Sequence, residues 1–249
     1  MFENIIREKL RNHVTQTAFD ITTEKNRFKS LGAELPAELI DLNTLNRDKV
    51  TEIINSPNYS VQAEFLGILF WGYFFTVNYK GNKIRFLEWL NEPNSTSKLE
   101  FIKSTIQNSD DPNKLFKSFT KKDQLKIPGL GYAYFTKLFY YYTRERDTVF
   151  PILDKWLSIG WIVLSNELVN DEALFYYKNK DNRLGSMQRR QSEGYAKYVQ
   201  FMNETARKFN SNVESLEIAM FGSDRREDTT MNNIRNQYLR WLIDNNFNI

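Results

Sequence analysis

Between Tyr132 and Tyr142 the chain carries one charged side chain, Lys137, set among aromatic rings, Leu138, Ala133 and Thr136. An amine on so apolar a helix costs free energy unless it reaches a partner or a cleft. Desolvation there would favour the neutral amine, which is the nucleophilic form. Such a lysine could add to an electrophilic carbon. It could equally lay its stem along the stripe of Ala133, Tyr140 and Arg144 and end in water. Few other groups are left to do chemistry. The 249 residues include no cysteine and a single histidine, His13, which reads as an ordinary surface or core residue. Thiol nucleophiles, zinc–thiolate sites, iron–sulfur clusters and multi-histidine metal sites are thereby excluded. Catalysis falls to carboxylates, lysines and hydroxyls, with no metal or organic cofactor expected.

Immediately before the Lys137 helix stands Ile127-Pro128-Gly129-Leu130-Gly131. Two glycines around one apolar residue allow a very tight turn with positive φ. Leu130 is expected to plug between the flanking helices, a short one over 120–126 and one starting at Tyr132. Because the second helix opens at the turn, its first amides point outward and form a ready anion site. Lys121 and Lys122 lie just upstream. Lys126, Pro128, Gly129, Gly131 and Tyr132 are therefore the candidate grip on a DNA phosphate. The other reading of the same residues is a plain helix–helix turn capped by glycine.

This run resembles the hairpin of the helix-hairpin-helix motif, which holds the DNA backbone without reading sequence. The following segment strengthens the resemblance. Phe150-Pro151-Ile152-Leu153-Asp154-Lys155-Trp156 is similar to the Pro-apolar-Asp segment of the helix-hairpin-helix DNA glycosylase superfamily, and Asp154 lies 23 residues after Gly131. The resemblance implies that Asp154 is catalytic; it would also serve as a helix N-cap. Two residues separate Pro151 from Asp154 where the family pattern has one. The lysine of the lyase-active members falls two residues after the second glycine, which here is Ala133, and Lys137 stands one turn further on. With Phe135-Thr136-Lys137-Leu138 and the tail Ser215-Leu216-Glu217-Ile218-Ala219-Met220-Phe221, the chain is similar to the bacterial 8-oxoguanine-glycosylase-fold group, some of whose members excise modified phage bases in anti-phage defence. Trp156, next to Asp154, is the candidate base-pocket residue, with Phe70 and Trp71 behind it. Excision of 8-oxoguanine or of a modified base such as glucosylated hydroxymethylcytosine is the implied activity. The alternatives are a non-catalytic DNA-binding module and a helical interaction protein.

The elements that must position these residues read as helices throughout. Apolar residues are 41% of the chain and aromatics 15%, enough for a packed core. Helices are expected at the start of the chain up to the break at 32–36, over 47–54, after Ser60, over 83–90, after Ser97 with a Ser97–Glu100 capping box, and around Leu115–Phe119. The run from Phe65 to Val77 reads as one buried core helix, too short to span a bilayer, which needs about 20 residues. Further helices should run over 132–143, from Asp154 through Leu164, over 195–209, within 211–221 and from Ile234 to the end, where Ile234, Tyr238, Trp241 and Leu242 share a face. The segment 178–194, with Lys178, Lys180, Arg183, Arg189 and Arg190, reads as a loop able to touch phosphate. The predicted fold is all-α, two helical lobes with a cleft: 56–148, ending in the hairpin helix, and 1–55 with 149–249. A net charge of +3 permits DNA binding through local patches. With no secretory apolar segment near Met1, a cytoplasmic monomer acting on double-stranded DNA is expected, with no membrane association.

Overall fold

A computed structural model describes residues 2–12, 18–120, 125–168, 190–221 and 234–245. The described chain is helical, with one two-residue antiparallel pairing, β1 (Phe19–Asp20) on β2 (Thr44–Leu45). In chain order the helices are α1 (Phe2–Arg11), α2 (Thr22–Ser30), α3 (Arg47–Asn55), α4 (Val61–Trp71), α5 (Phe74–Val77), α6 (Lys80–Leu90), α7 (Ser95–Gln107), α8 (Pro112–Thr120) and α9 (Tyr132–Thr143). There follow α10 (Lys155–Leu168), α11 (Gln191–Lys208), α12 (Val213–Phe221) and α13 (Ile234–Asp244). None of the described helices is long and apolar enough to cross a membrane.

The chain forms two compact units. One comprises Thr17–Ser109 and Ser118–Thr143, the other Met1–Gln16, Asp110–Lys117 and Arg144–Ile249. In the first, α4 is buried from Ala63 to Trp71 and packs on α3, α5, α7 and α9. Its apolar residues surround it on all sides, as a central helix requires. Phe28, Phe70, Phe74, Phe75 and Phe86 meet edge to face or tilted beside it. Asn46 and Ser60 accept from the amides of Lys49 and Ala63 and start α3 and α4. In the second unit, α10 packs on α1, α11, α12 and α13, with Trp161, Tyr195, Tyr198 and Tyr238 fully buried.

Several expectations change. The run 65–77 is two helices, because the chain turns left-handed at Tyr73 (φ 56) after Gly72. The carboxylate of buried Glu24 then accepts from the Phe75 amide at 2.7 Å and starts α5. α7 begins at Ser95, which puts Ser97 inside its first turn, so the Ser97–Glu100 box does not form the cap. α11 begins at Gln191, four residues earlier than expected, so 191–194 belong to a helix rather than to the loop. On the last helix Ile234, Tyr238 and Leu242 are buried while Trp241 is only partly so. The lobe boundary differs too. Residues 18–55 pack with α4 because the apolar faces of α2 and α3 (Phe28, Val50, Ile53) have their partners there, and 110–117 join the second unit. His13, Lys121, Lys122, Lys178, Lys180, Arg183 and Arg189 lie outside the described residues.

Candidate active site and nucleic-acid interface

Pro128 and Gly129 occupy the two corner positions of a turn closed by the Leu130 amide donating to the Ile127 carbonyl at 3.3 Å. Pro presets the first corner, and Gly129 has φ +81, the combination that a type II turn requires. A side chain at Gly129 would place its Cβ 2.1 Å from the Asn82 carbonyl oxygen, so the turn lies directly on the start of α6. Asn78 ties the two together. Its side-chain Nδ2 donates to the Gly129 carbonyl at 3.4 Å, while its Oδ1 accepts from the Tyr79 amide and from Asn82 Nδ2. Ile127 is the buried plug of the hairpin; Leu130 is half-exposed, because the turn directs it away from the core that takes Ile127. Gly131 does not need positive φ. Its carbonyl accepts from the amides of Tyr134 and Phe135 and begins α9. Lys126 and Gly131 are exposed, and Pro128, Gly129 and Tyr132 are partly so. The helix expected before the turn falls partly at 121–124, outside the described residues.

On α9, Lys137 is only 8% exposed. Helical side chains lean toward the N-terminus. The amine accordingly ends one turn back, donating to the Ala133 carbonyl at 2.8 Å. Two rings flank it: Tyr134 at 5.4 Å and Trp71 at 6.0 Å from their centroids. Gly72 makes room for the stem, since a Cβ there would lie 3.0 Å from Lys137 Cδ and 3.1 Å from Cε. Arg47 stands over the rings of Trp71 and Tyr140 at 5.2 and 4.8 Å. The Trp71 indole N–H is buried and has no acceptor among the described residues. Phe70, by contrast, is fully buried in the phenylalanine cluster and packs as core. The helix of Lys137 is anchored further along by a buried polar knot. Lys103 pairs with both Glu64 oxygens at 2.7 and 2.8 Å, and Tyr142 donates to the same carboxylate at 3.2 Å.

In the other unit, Asp154 caps α10. Its Oδ1 accepts from the amides of Trp156 and Leu157, both at 2.9 Å, and Oδ2 has no hydrogen bond among the described residues. The extended segment before it is held by side chains from α11 and α12. Tyr195 donates to the Pro151 carbonyl and Tyr198 to the Ile152 carbonyl, each at 2.9 Å. Glu217 accepts from the Ile152 amide at 2.6 Å. Asn203 both accepts from and donates to the backbone of Val149. The additional residue between Pro151 and Asp154 is absorbed by burying both Ile152 and Leu153. Trp156 is half-buried, with the guanidinium of Arg235 5.2 Å and the amine of Lys155 5.6 Å from its ring.

The hairpin residues and Lys137 are thus brought into one unit; Asp154 and Trp156 are set in the other. Reading the sequence missed Trp71 and Gly72 as neighbours of Lys137, and gave no positioning role to Asn78, Asn82, Tyr195, Tyr198, Asn203, Glu217 or Arg235. Each acts through a contact distant in sequence, which no local pattern announces. Residues 12–221 match the model of a family described as "Putative 8-oxoguanine DNA glycosylase OGG-like protein". No curated protein and no solved structure matches the chain.

Proposed function

Because this chain belongs to the OGG-like DNA glycosylase family, we propose that it is a DNA glycosylase with an attached lyase step, in which Lys137 is the nucleophile and Asp154 the electrostatic partner. The observation that carries this reading is the amine of Lys137 at the Ala133 carbonyl. A lysine displaced by one helical turn thereby brings its amine back to the level of Ala133, the position the lysine holds in the lyase-active members. Its surroundings of Trp71, Tyr134 and the Gly72 backbone leave it only 8% exposed, and the amine must give up its proton before it attacks.

The target nucleotide is turned out of the stack, and the hairpin grips the backbone beside it. The neutral amine adds to C1′ as the N-glycosidic bond breaks and its electron pair leaves with the base. Loss of the amine proton and opening of the sugar give a Schiff base, and β-elimination then cuts the strand. Asp154 stabilises the positive charge that grows on the sugar. Oδ1 is committed to the α10 amides, so Oδ2 serves the substrate. Trp156 offers a ring face to the base.

The test uses labelled duplexes carrying 8-oxoguanine, uracil, alkylated bases, or hydroxymethylated and glucosylated cytosine. Each is read with and without alkali and with borohydride trapping, for the wild type, Lys137→Gln and Asp154→Asn. Release of one base, abolished in Asp154→Asn, is the expected result, with a trapped adduct that Lys137→Gln lacks. If Lys137→Gln still releases the base but leaves the strand intact, the lysine serves the lyase step only. If no base is lost while all three proteins bind DNA alike, the chain is a non-catalytic binding module.

A further inference from the structure

Among the described residues, three of the six exposed large hydrophobic side chains fall within residues 77–84: Val77, Tyr79 and Ile84. Tyr79 is the most exposed of the six, at 84%. Its backbone is nonetheless fixed. The Tyr79 amide donates to Asn78 Oδ1, and its carbonyl accepts from the amides of Asn82 and Lys83 at 3.0 and 3.2 Å. Asn78 and Asn82 are the residues that fasten the hairpin turn, through the Gly129 carbonyl and the close approach of Gly129 to the Asn82 oxygen. A ring is therefore presented at a set distance from the turn, at little entropic cost on binding.

The exposed charge nearest to it is cationic; the nearest acids are Glu24, buried at the start of α5, and Glu88, one turn beyond Arg85 on α6. Residues 77–87 contain Lys80, Lys83 and Arg85 and no acid, and residues 125–131 contain Lys126 and no acid. Lys80, Arg85 and Lys126 are exposed; Lys83 is buried, and burial pushes its amine below the usual lysine range. Rings interleaved with cations fit a polyanion that carries flat faces. A second copy of this chain fits poorly, since a symmetric contact would set the cationic corner against itself.

We infer that the α5–α6 corner, with Tyr79 at its tip, is a second contact surface for the duplex that the hairpin grips, the Tyr79 ring packing on a sugar or base face of that DNA. This rests on the DNA-binding part of the reading above, not on its catalytic assignments. The test is fluorescence anisotropy of the full chain on a duplex bearing a tetrahydrofuran abasic analogue, over a salt series, for wild type, Tyr79→Ala, Tyr79→Phe and Lys80→Gln. Loss of the ring should weaken binding about tenfold at every salt concentration, with Tyr79→Phe near the wild type. Lys80→Gln should lower the slope of log K against log salt by about one. Sedimentation should give one mass for all four. The inference is overturned if Tyr79→Ala binds as tightly as the wild type, if Tyr79→Phe loses as much as Tyr79→Ala, or if Tyr79→Ala instead abolishes self-association. Base release by the wild type, assayed in parallel, separates the failures. Release with normal binding by Tyr79→Ala removes only the corner, whereas a wild type that neither binds nor releases removes both readings.

Discussion

Lys137 owes its position to what surrounds it as much as to its own chemistry. The stem passes Gly72 so closely that an added methyl must push it aside, while the backbone of Gly72 (φ −78) is one that alanine adopts freely. Gly72→Ala should therefore melt within about 4 °C of the wild type yet trap several-fold less borohydride adduct, as thermal scans and trapping gels would show. Unchanged trapping would mean that the stem has other room. Gly129 is the opposite case. Its φ of +81, and an Asn82 oxygen that would lie 2.1 Å from an added Cβ, leave alanine no place. Gly129→Ala should lower stability by about 1–3 kcal/mol and weaken duplex binding, because the turn must lift from α6. Asp154→Asn is a clean probe for the reverse reason: asparagine caps a helix as well as aspartate does. Base release should fall about a hundredfold or more with the melting temperature nearly unchanged.

At the scale of elements, the segment before α10 is extended and cannot satisfy its own backbone groups. Side chains of α11 and α12 do this instead, and so they set where Asp154 begins the next helix. Removing the buried acceptor in Glu217→Ala should cost about 1–3 kcal/mol, read by denaturant unfolding, and lower the rate of base release with little change in duplex affinity. Glu217→Gln keeps an acceptor and should recover most of both. The knot that anchors α9 makes a pH prediction. Burial pushes the Glu64 carboxyl above its ordinary 4.5, against the pull of Lys103 and Tyr142. The folded chain then holds this proton to higher pH than the unfolded chain does. The stabilisation from Glu64 is complete below about pH 4.5 and is lost as pH rises through the folded value. Melting temperatures across mildly acidic pH should show that decline, and Glu64→Gln should lack this component.

Over the whole molecule, a net charge of +3 is too small to bind DNA by bulk attraction. On the proposed reading, binding comes from local cations such as Lys126, Lys80 and Arg85 and from the amides at the start of α9. Affinity for undamaged duplexes of unrelated sequence should therefore agree within a few-fold. It should fall with salt at a slope of about −2 or steeper between roughly 50 and 200 mM, measured by anisotropy. A slope near zero would argue against a backbone-gripping surface.

The sequence alone determined what rests on local pattern. The all-α fold follows from apolar spacing. The span of α9, the caps at Ser60 and Asp154, and the turn at Pro128-Gly129 follow from residue types whose conformational preferences act over a few residues. The same locality explains the misjudged break at Gly72–Tyr73, where one left-handed residue interrupts a run that is apolar throughout. Only the tertiary structure decided that residues 18–55 pack with α4. It alone showed that Ile127 rather than Leu130 is the hairpin's plug, that Gly72 and Trp71 frame Lys137, and that Tyr195, Tyr198, Asn203 and Glu217 hold the approach to Asp154. These depend on which distant surfaces meet. That is set by the packing of the whole core, and a polar partner fifty or more residues away leaves no trace in local periodicity.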